Sequence, residues 1–311
     1  MNSLTFQNVL AARERIKNHI KNTPVISSAK LNEELGAQIF FKMENQQVAK
    51  SFKARGAFNA ILSYKEKHGK FPEKIVVQSS GNHAQAIALA CKEFGIKALI
   101  FMISKASPAK IAATRQLGAE VILLEKRSEV NAAAEAKQKE GYFFIHPADG
   151  ADVISGQGTA ALEAILEIGK PDAIFAPCGG GGLLGGTYLA SLGFLPEAKV
   201  FGCEPLNAND AASSFAKGEI VGFEETPNTI ADGARTLKVS TQSFLYLQQL
   251  AGFFEISEEE ISFWQKKLSE DLGQKIETTS ALAIAGAAQF LKKDPQAKGS
   301  KILVIISGGN L

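Results

Sequence analysis

Residues 74–102 read KIVVQSSGNHAQAIALACKEFGIKALIFM. A short β-branched apolar run is followed by a turn containing Gly81, a run with helical spacing, Gly95, and a second apolar run. Strands apolar on both faces are buried on both, and a helix between two such strands returns the chain so that they pair in parallel. Similar apolar runs fall at residues 38–42, 120–124, 142–145, 172–176, 199–203 and 301–306, beside 74–77 and 97–102. Helical patterns lie between them, for example at 82–94, 108–117, 158–167 and 208–217. The spans 258–272 and 279–291 read as ordinary amphipathic helices. This alternation predicts an α/β fold of mostly parallel sheets flanked by helices. Ligands of such sheets bind beyond the carboxyl ends of the strands, where glycine and polar clusters should be sought.

With 311 residues, and roughly 150 per domain, about two domains are expected. The strand–helix unit repeats most densely between residues 74 and 145. We therefore expect a small α/β domain, residues 62–146, inserted into a larger one built from residues 1–61 and 147–311. Pro147 and the following Ala148–Gly150 stretch form the crossing point. Hydrophobic residues make up 45% and charged residues 21% of the chain, which is ordinary for a globular protein. Thirty-four Lys and Arg against 32 Asp and Glu leave a formal charge of +2, so neither nucleic acid nor an anionic membrane is an expected partner. The first 22 residues carry charges throughout, unlike a signal peptide, and no apolar run reaches the ~20 residues of a membrane span. Cys91, Cys178 and Cys203 match no metal or redox spacing; so sparse a set fits a reducing cytoplasm.

Five clusters could carry chemistry. In Ser51-Phe52-Lys53-Ala54-Arg55-Gly56, Ser51 is a good N-cap for a helix, and Lys53 stands between apolar neighbours. A lysine near an apolar site has a lowered pKa, and its free amine can form a Schiff base. Ser79-Ser80-Gly81-Asn82-His83 follows a strand and opens a helix, a place that offers backbone donors to an anion. A hydrolase-type nucleophile elbow is excluded, because no glycine stands two residues before either serine. Gly179, Gly180, Gly181 and Gly182, then Leu183, leave successive amides bare at a helix start, which makes a phosphate cradle. Gly180, Gly182 and Gly185 also fit the dinucleotide spacing, with Glu204 about twenty residues on for a ribose; that reading leaves the first two clusters unexplained. Glu204, Asn207, Ala208 and Asp210 could hold a hard cation, although spacing alone favours an acidic helix N-terminus. Last, Ser307-Gly308-Gly309-Asn310 follows an apolar strand that should set Ser307 at the carboxyl edge of a sheet.

In this order the clusters resemble one family, the serine/threonine dehydratase and serine racemase branch of the fold-type II pyridoxal-phosphate enzymes. The resemblance covers nearly the whole chain. Gly156-Gln157-Gly158-Thr159 and Thr229-Ile230-Ala231-Asp232-Gly233 are also similar to its signatures. It implies two domains of the tryptophan synthase β type and a homodimer. It further implies that Lys53 bonds the cofactor and moves the substrate α-proton. Phe52 would pack on the pyridine ring, Asn82 meet the phenolic oxygen, Ser307 meet the ring nitrogen, and Gly179 to Leu183 hold the phosphate. Ser79, Ser80, Asn82 and His83 would bind the substrate, with Ser80 on the face opposite Lys53. The family often has a cation at a glutamate, a carbonyl and an aspartate spaced as Glu204, Ala208 and Asp210 are; magnesium, manganese or calcium would fit.

The reaction so implied is dehydration and deamination of L-threonine or L-serine to 2-oxobutanoate or pyruvate plus ammonia. A serine at the ring nitrogen, rather than an aspartate, should leave that nitrogen unprotonated and favour loss of the β-hydroxyl. Racemisation by Lys53 and Ser80, or dehydration of 3-hydroxyaspartate, are the alternatives within the family. Outside it stand a nicotinamide-dependent oxidoreductase and a nonenzymatic phosphate-ligand module. One departure bears on substrate: where the family often has Glu-Pro-Ser/Thr-Gly/Ala, this chain reads Glu277-Thr278-Thr279-Ser280. The sequence ends at Leu311, after the last motif, so feedback by isoleucine through a further domain is not expected.

Overall fold

The computed structural model describes residues 3–194 and 199–310. The described residues form two sheets. Strands β1 (Val25–Ser27), β2 (Gln38–Met43), β7 (Ala173–Pro177), β8 (Lys199–Pro205), β9 (Gly252–Ile256) and β10 (Lys301–Ile306) build the larger, in the order β1-β2-β10-β7-β8-β9. Strands β3 (Lys74–Gln78), β4 (Lys97–Ile103), β5 (Glu120–Leu124) and β6 (Phe143–Phe144) build the smaller, in the order β5-β4-β3-β6. Every pairing is parallel except that of β1 with β2.

Burial explains the composition of the strands. All of β7 is buried, as is β10 beyond Lys301. One face of the large sheet packs Phe175, Phe201 and Phe254 against the helix Thr278–Lys293, and Trp264 of the helix Glu258–Asp271 joins the same core. The other packs Ile174, Val200 and Ile305 against the helices Ala151–Ile168 and Gly182–Leu192. The small sheet has its own core, in which Ile75, Val77 and Ile100 meet Phe58, Ile61 and Ile87 from helices Lys53–His68 and Asn82–Phe94. No helix among the described residues is long and apolar enough to cross a membrane.

Several elements depart from the sequence reading. The helix expected at 158–167 begins a full two turns earlier, at Ala151. Gly156 and Gly158 obscured it, since glycine weakens a helix interior. Their lack of a side chain is required by close approach: a Cβ at Gly156 would lie 2.6 Å from the Arg55 carbonyl oxygen, and one at Gly158 2.5 Å from that of Gly186. The strand expected at 142–145 pairs only over Phe143–Phe144. The helix expected from Ala208 begins at Asp210, after a 3-10 turn over Leu206–Ala208. Strands β1 and β9 were not anticipated. Nor does Ser51 cap a helix: the cap position is Phe52, and the buried Ser51 hydroxyl has no hydrogen-bond partner. Ser51 instead makes an isolated bridge to Gly308, which ties the Lys53 segment to the end of β10.

Candidate active site

Lys53 is the first residue of the helix Lys53–His68. The Phe52 amide donates to the Ser307 carbonyl oxygen at 3.0 Å, so the lysine segment and the β10 terminus lie together. The Lys53 side chain is half-buried. Its amine donates to the Pro147 carbonyl oxygen at 2.6 Å and lies 4.8 Å from the centre of the Phe52 ring. Burial, with no carboxylate to offset it, pulls its pKa down to about 8. Its neutral, nucleophilic form is then more populated near neutral pH than in an ordinary lysine.

The glycine loop follows β7 and opens the helix Gly182–Leu192. Every one of its four glycines is enforced by packing. A Cβ at Gly179 would lie 2.9 Å from the Gly233 carbonyl oxygen, at Gly180 2.6 Å from the Ala148 Cβ, at Gly181 2.9 Å from the Ser243 Cβ, and at Gly182 2.5 Å from Gln157 Oε1. Gly181 also takes the left-handed φ of 89°. Backbone therefore sits close on the protein side, and the amides are left bare at a helix N-terminus for an anion. Ala148, which crowds Gly180, is next to Pro147, so the cradle adjoins the Lys53 amine.

Asn82 is the first residue of the helix Asn82–Phe94. Its amide nitrogen donates to both Glu277 oxygens, at 2.9 and 3.0 Å, and its oxygen accepts from the Asn310 side chain at 2.9 Å. The Asn310 backbone amide donates to Glu277 at 2.8 Å. Burial raises the Glu277 pKa to about 7, with Asp232 adding to the rise and the Asn82 and Asn310 donors opposing it. The sequence reading named Glu277 only as the retained glutamate of a late motif; this meeting of three distant segments adds contacts that no local motif carries. Ser307 is buried, and its hydroxyl lies 3.0 Å from that of Ser280.

The rest of the Ser79–His83 loop is less uniform. Ser79 Oγ accepts from the Gly81 amide at 3.3 Å, and Ser80 Oγ accepts from the Ile103 amide at 3.2 Å. Both serines are half-buried. His83 turns inward: it is 3% exposed, and Nε2 lies 2.9 Å from the Ile145 carbonyl oxygen. Burial, then the Lys53 charge, push its pKa down to about 3, which keeps the ring neutral. Its imidazole is thus committed to the chain; what this position offers a carboxylate is the unpaired amides of the helix's first turn.

Glu204, Ala208 and Asp210 are all buried. Glu204 accepts from the amides of Ala212, at 2.8 Å, and Ala211, at 3.4 Å, at the start of the helix Asp210–Lys217. With both oxygens engaged it is not presented to a ribose, which removes the dinucleotide reading of Gly180, Gly182 and Gly185. Burial and the neighbouring Asp210 push its pKa well up, while burial raises Asp210 to about 7. Asp210 Oδ1 accepts from Thr236 at 3.3 Å, and Oδ2 is buried without a partner. Among the described residues, no group of three or more His, Cys, Asp or Glu side chains is arranged to hold a metal.

The family model described as "Pyridoxal-phosphate dependent enzyme" matches residues 16–308, and the chain belongs to that family. It is 41% identical to the L-threo-3-hydroxyaspartate ammonia-lyase of Saccharomyces cerevisiae over 99% of this chain and 93% of that protein. It is equally 41% identical to the serine racemase of Schizosaccharomyces pombe over 99% of this chain and 94% of that one. Among solved structures, the serine racemase of Dictyostelium discoideum superposes with a TM-score of 0.92 at 35% identity, covering 100% of this chain and 99% of the other. The fold is thus that of the fold-type II pyridoxal-phosphate enzymes, and the protein is a lyase-type enzyme of that family.

Proposed function

We propose that this enzyme removes water and ammonia from a small L-3-hydroxy amino acid, L-threonine or L-serine, to give 2-oxobutanoate or pyruvate. One observation supports this most: a half-buried amine of lowered pKa, on Lys53, adjoins a glycine cradle whose amides are bare. These groups suit pyridoxal phosphate. Gly179, Gly180, Gly181, Gly182 and Leu183 would hold its phosphate, Phe52 its ring face, Asn82 its phenolic oxygen and Ser307 its ring nitrogen. Bound there, the cofactor supplies an electron sink that no side chain offers. Lys53 takes the substrate α-proton. Ser79, Asn82 and the first-turn amides at His83 orient the carboxylate, and Ser80 stands on the substrate face opposite Lys53. The β-hydroxyl departs as water, and the released product hydrolyses to the oxo acid and ammonia.

Dehydration of 3-hydroxyaspartate is the second reading. The likeness to the L-threo-3-hydroxyaspartate ammonia-lyase of Saccharomyces cerevisiae supports it. Racemisation by Lys53 and Ser80 is the third, supported by the likeness to serine racemases. The reading further includes a magnesium, manganese or calcium ion at Glu204, Ala208 and Asp210, where the unpartnered Asp210 Oδ2 calls for a cation. It includes a homodimer and a cytoplasmic setting, the latter consistent with three free, buried cysteines. It also divides the chain into a cofactor domain, residues 1–61 and 147–311, and an inserted domain, residues 62–146.

Cofactor-loaded protein should be supplied with L-threonine, L-serine and L-threo-3-hydroxyaspartate in turn, with 2-oxo acid as the readout. Threonine or serine should turn over fastest. Faster turnover of hydroxyaspartate would replace this reading with the second, and D-serine without oxo acid would replace it with the third. Absence of a visible absorbance band dependent on Lys53 would overturn all three.

A further inference from the structure

The Pro147 carbonyl oxygen accepts two hydrogen bonds, from Lys53 Nζ at 2.6 Å and from Gln157 Nε2 at 3.2 Å. Gln157 stands in the helix Ala151–Ile168 and is 1% exposed. Its other amide atom, Oε1, is buried with no partner, and it is the atom a Cβ at Gly182 would meet. A single amide therefore touches both the place where the free lysine amine rests and the loop that would cradle phosphate. Buried amide oxygens are nearly always paired, so an orphan marks a place where a donor is missing.

We propose that Gln157 is a positioning residue for Lys53. It pins the Pro147 carbonyl as the dock of the free lysine amine, and it links that dock to the occupancy of the glycine cradle. The inference rests on the cofactor reading of Lys53 and the glycine loop. The pinned carbonyl acts first. An acceptor fixed 2.6 Å from the amine stabilises its protonated form, so a carbonyl free to swing would let the amine lose its proton at lower pH. The free oxygen acts second. Oε1 lies 2.5 Å from where a Cβ at Gly182 would stand, so it packs directly against the loop and fixes the amides that would face an anion. Losing Oε1 removes that support and weakens anion binding, although no loop amide changes.

Other groups that face Lys53 do not confuse the readout. His83, from the helix Asn82–Phe94, and His146, from the loop after β6, both have pKa values lowered chiefly by burial. They stay neutral through the alkaline range in which Lys53 titrates.

The test uses apoprotein. Lys53 is acylated with trace acetic anhydride across pH 6–10, with and without inorganic phosphate, and its labelling is read by peptide mass spectrometry. Gln157→Met keeps the volume and removes both amide atoms. The Lys53 midpoint should fall by half a pH unit or more, and the phosphate affinity by severalfold. Gln157→Glu puts an anion against the carbonyl: the midpoint should rise while phosphate affinity falls further. An unchanged midpoint and unchanged phosphate affinity in folded Gln157→Met would overturn the proposal, as would a Gln157→Glu variant that behaves like wild type. Failure of the cofactor reading would be seen separately, as wild-type protein that forms no visible band with pyridoxal phosphate.

Discussion

The Asn82 amide nitrogen lies 2.9 and 3.0 Å from the two oxygens of Glu277, and the Asn310 backbone amide donates to the same carboxyl group at 2.8 Å. A residue of the small-sheet side is thereby fixed to the N-cap of the helix Thr278–Lys293 and to the end of the chain. Whatever Asn82 contacts, Glu277 sets its orientation.

This carboxyl group should leave a mark on stability. Its pKa in the fold is about 7 against an ordinary 4.5. A raised acid contributes stability in full below 4.5 and loses it as pH rises through 7, because the unfolded chain ionises first. The gap corresponds to about 3 kcal/mol. Urea unfolding of apoprotein between pH 5 and 8 should therefore show a smaller decline in Glu277→Gln than in wild type. Equal slopes would mean that the carboxyl ionises in the fold as it does in water.

Gly180→Ala tests the cradle by crowding. The added Cβ would sit 2.6 Å from that of Ala148, so one of the two segments must shift. Overpacking of this kind costs about 1–3 kcal/mol. If the loop holds phosphate, roughly a tenfold or greater loss of cofactor affinity follows, measured by absorbance titration. Retention of wild-type affinity would show that the loop lies outside the binding site.

Arg55 is fully buried two residues after Lys53. Its guanidinium bonds Glu44 at 2.7 and 2.8 Å and Glu163 at 2.8 and 2.7 Å, while Lys42 meets Glu163 at 2.7 Å. Breaking a buried pair on one side strands the other charge and costs about 3–5 kcal/mol. Arg55→Met should lose that much in urea unfolding. Arg55→Lys should recover only part of it, because an ammonium cannot make the double fork. A loss under 1 kcal/mol for Arg55→Met would show the network to be energetically idle.

Much of this architecture was legible in the sequence, for a physical reason. The central strands β7 and β10 are buried on both faces, so their apolar runs are continuous. The edges were not legible. β1 spans three residues and is partly exposed, and β9 opens on Gly252 at the border of the sheet. The site followed the same rule. Lys53, the glycine loop and Asn82 could be named because local motifs carry them. The roles of Gln157, Glu277 and Pro147 arise from contacts across 10 to 195 residues of chain, which no local spacing encodes.

The cation proposed at Asp210 predicts that wild type and a neutral variant respond differently to metal. Asp210 has a pKa of about 7 against an ordinary 3.8, so it contributes stability below 3.8 that is lost as pH rises through 7. At pH 8 without divalent ions, Asp210→Asn should therefore unfold at higher temperature than wild type. Magnesium, manganese or calcium should narrow that gap, stabilising wild type by about 2.7 kcal/mol at one hundred times the dissociation constant and leaving the variant unchanged. Equal responses of the two proteins would place the cation elsewhere.

Ser80 separates elimination from racemisation. Both need Lys53 at one face of the α-carbon, and only racemisation needs a second proton-carrying group at the other. The Ser80 hydroxyl now accepts from the Ile103 amide at 3.2 Å, so its removal leaves one backbone donor unpaired, at about 1 kcal/mol. That loss should lower stability slightly and touch both reactions alike. A general acid or base contributes about 10²–10⁴-fold, so in Ser80→Ala any conversion of L-serine to D-serine should drop by that factor. Oxo acid formation should stay within severalfold of wild type. Chiral chromatography and an oxo acid assay on the same samples give the ratio directly. If both rates fall together by 10²-fold or more, Ser80 serves the step that the two reactions share, and the two-base assignment is wrong.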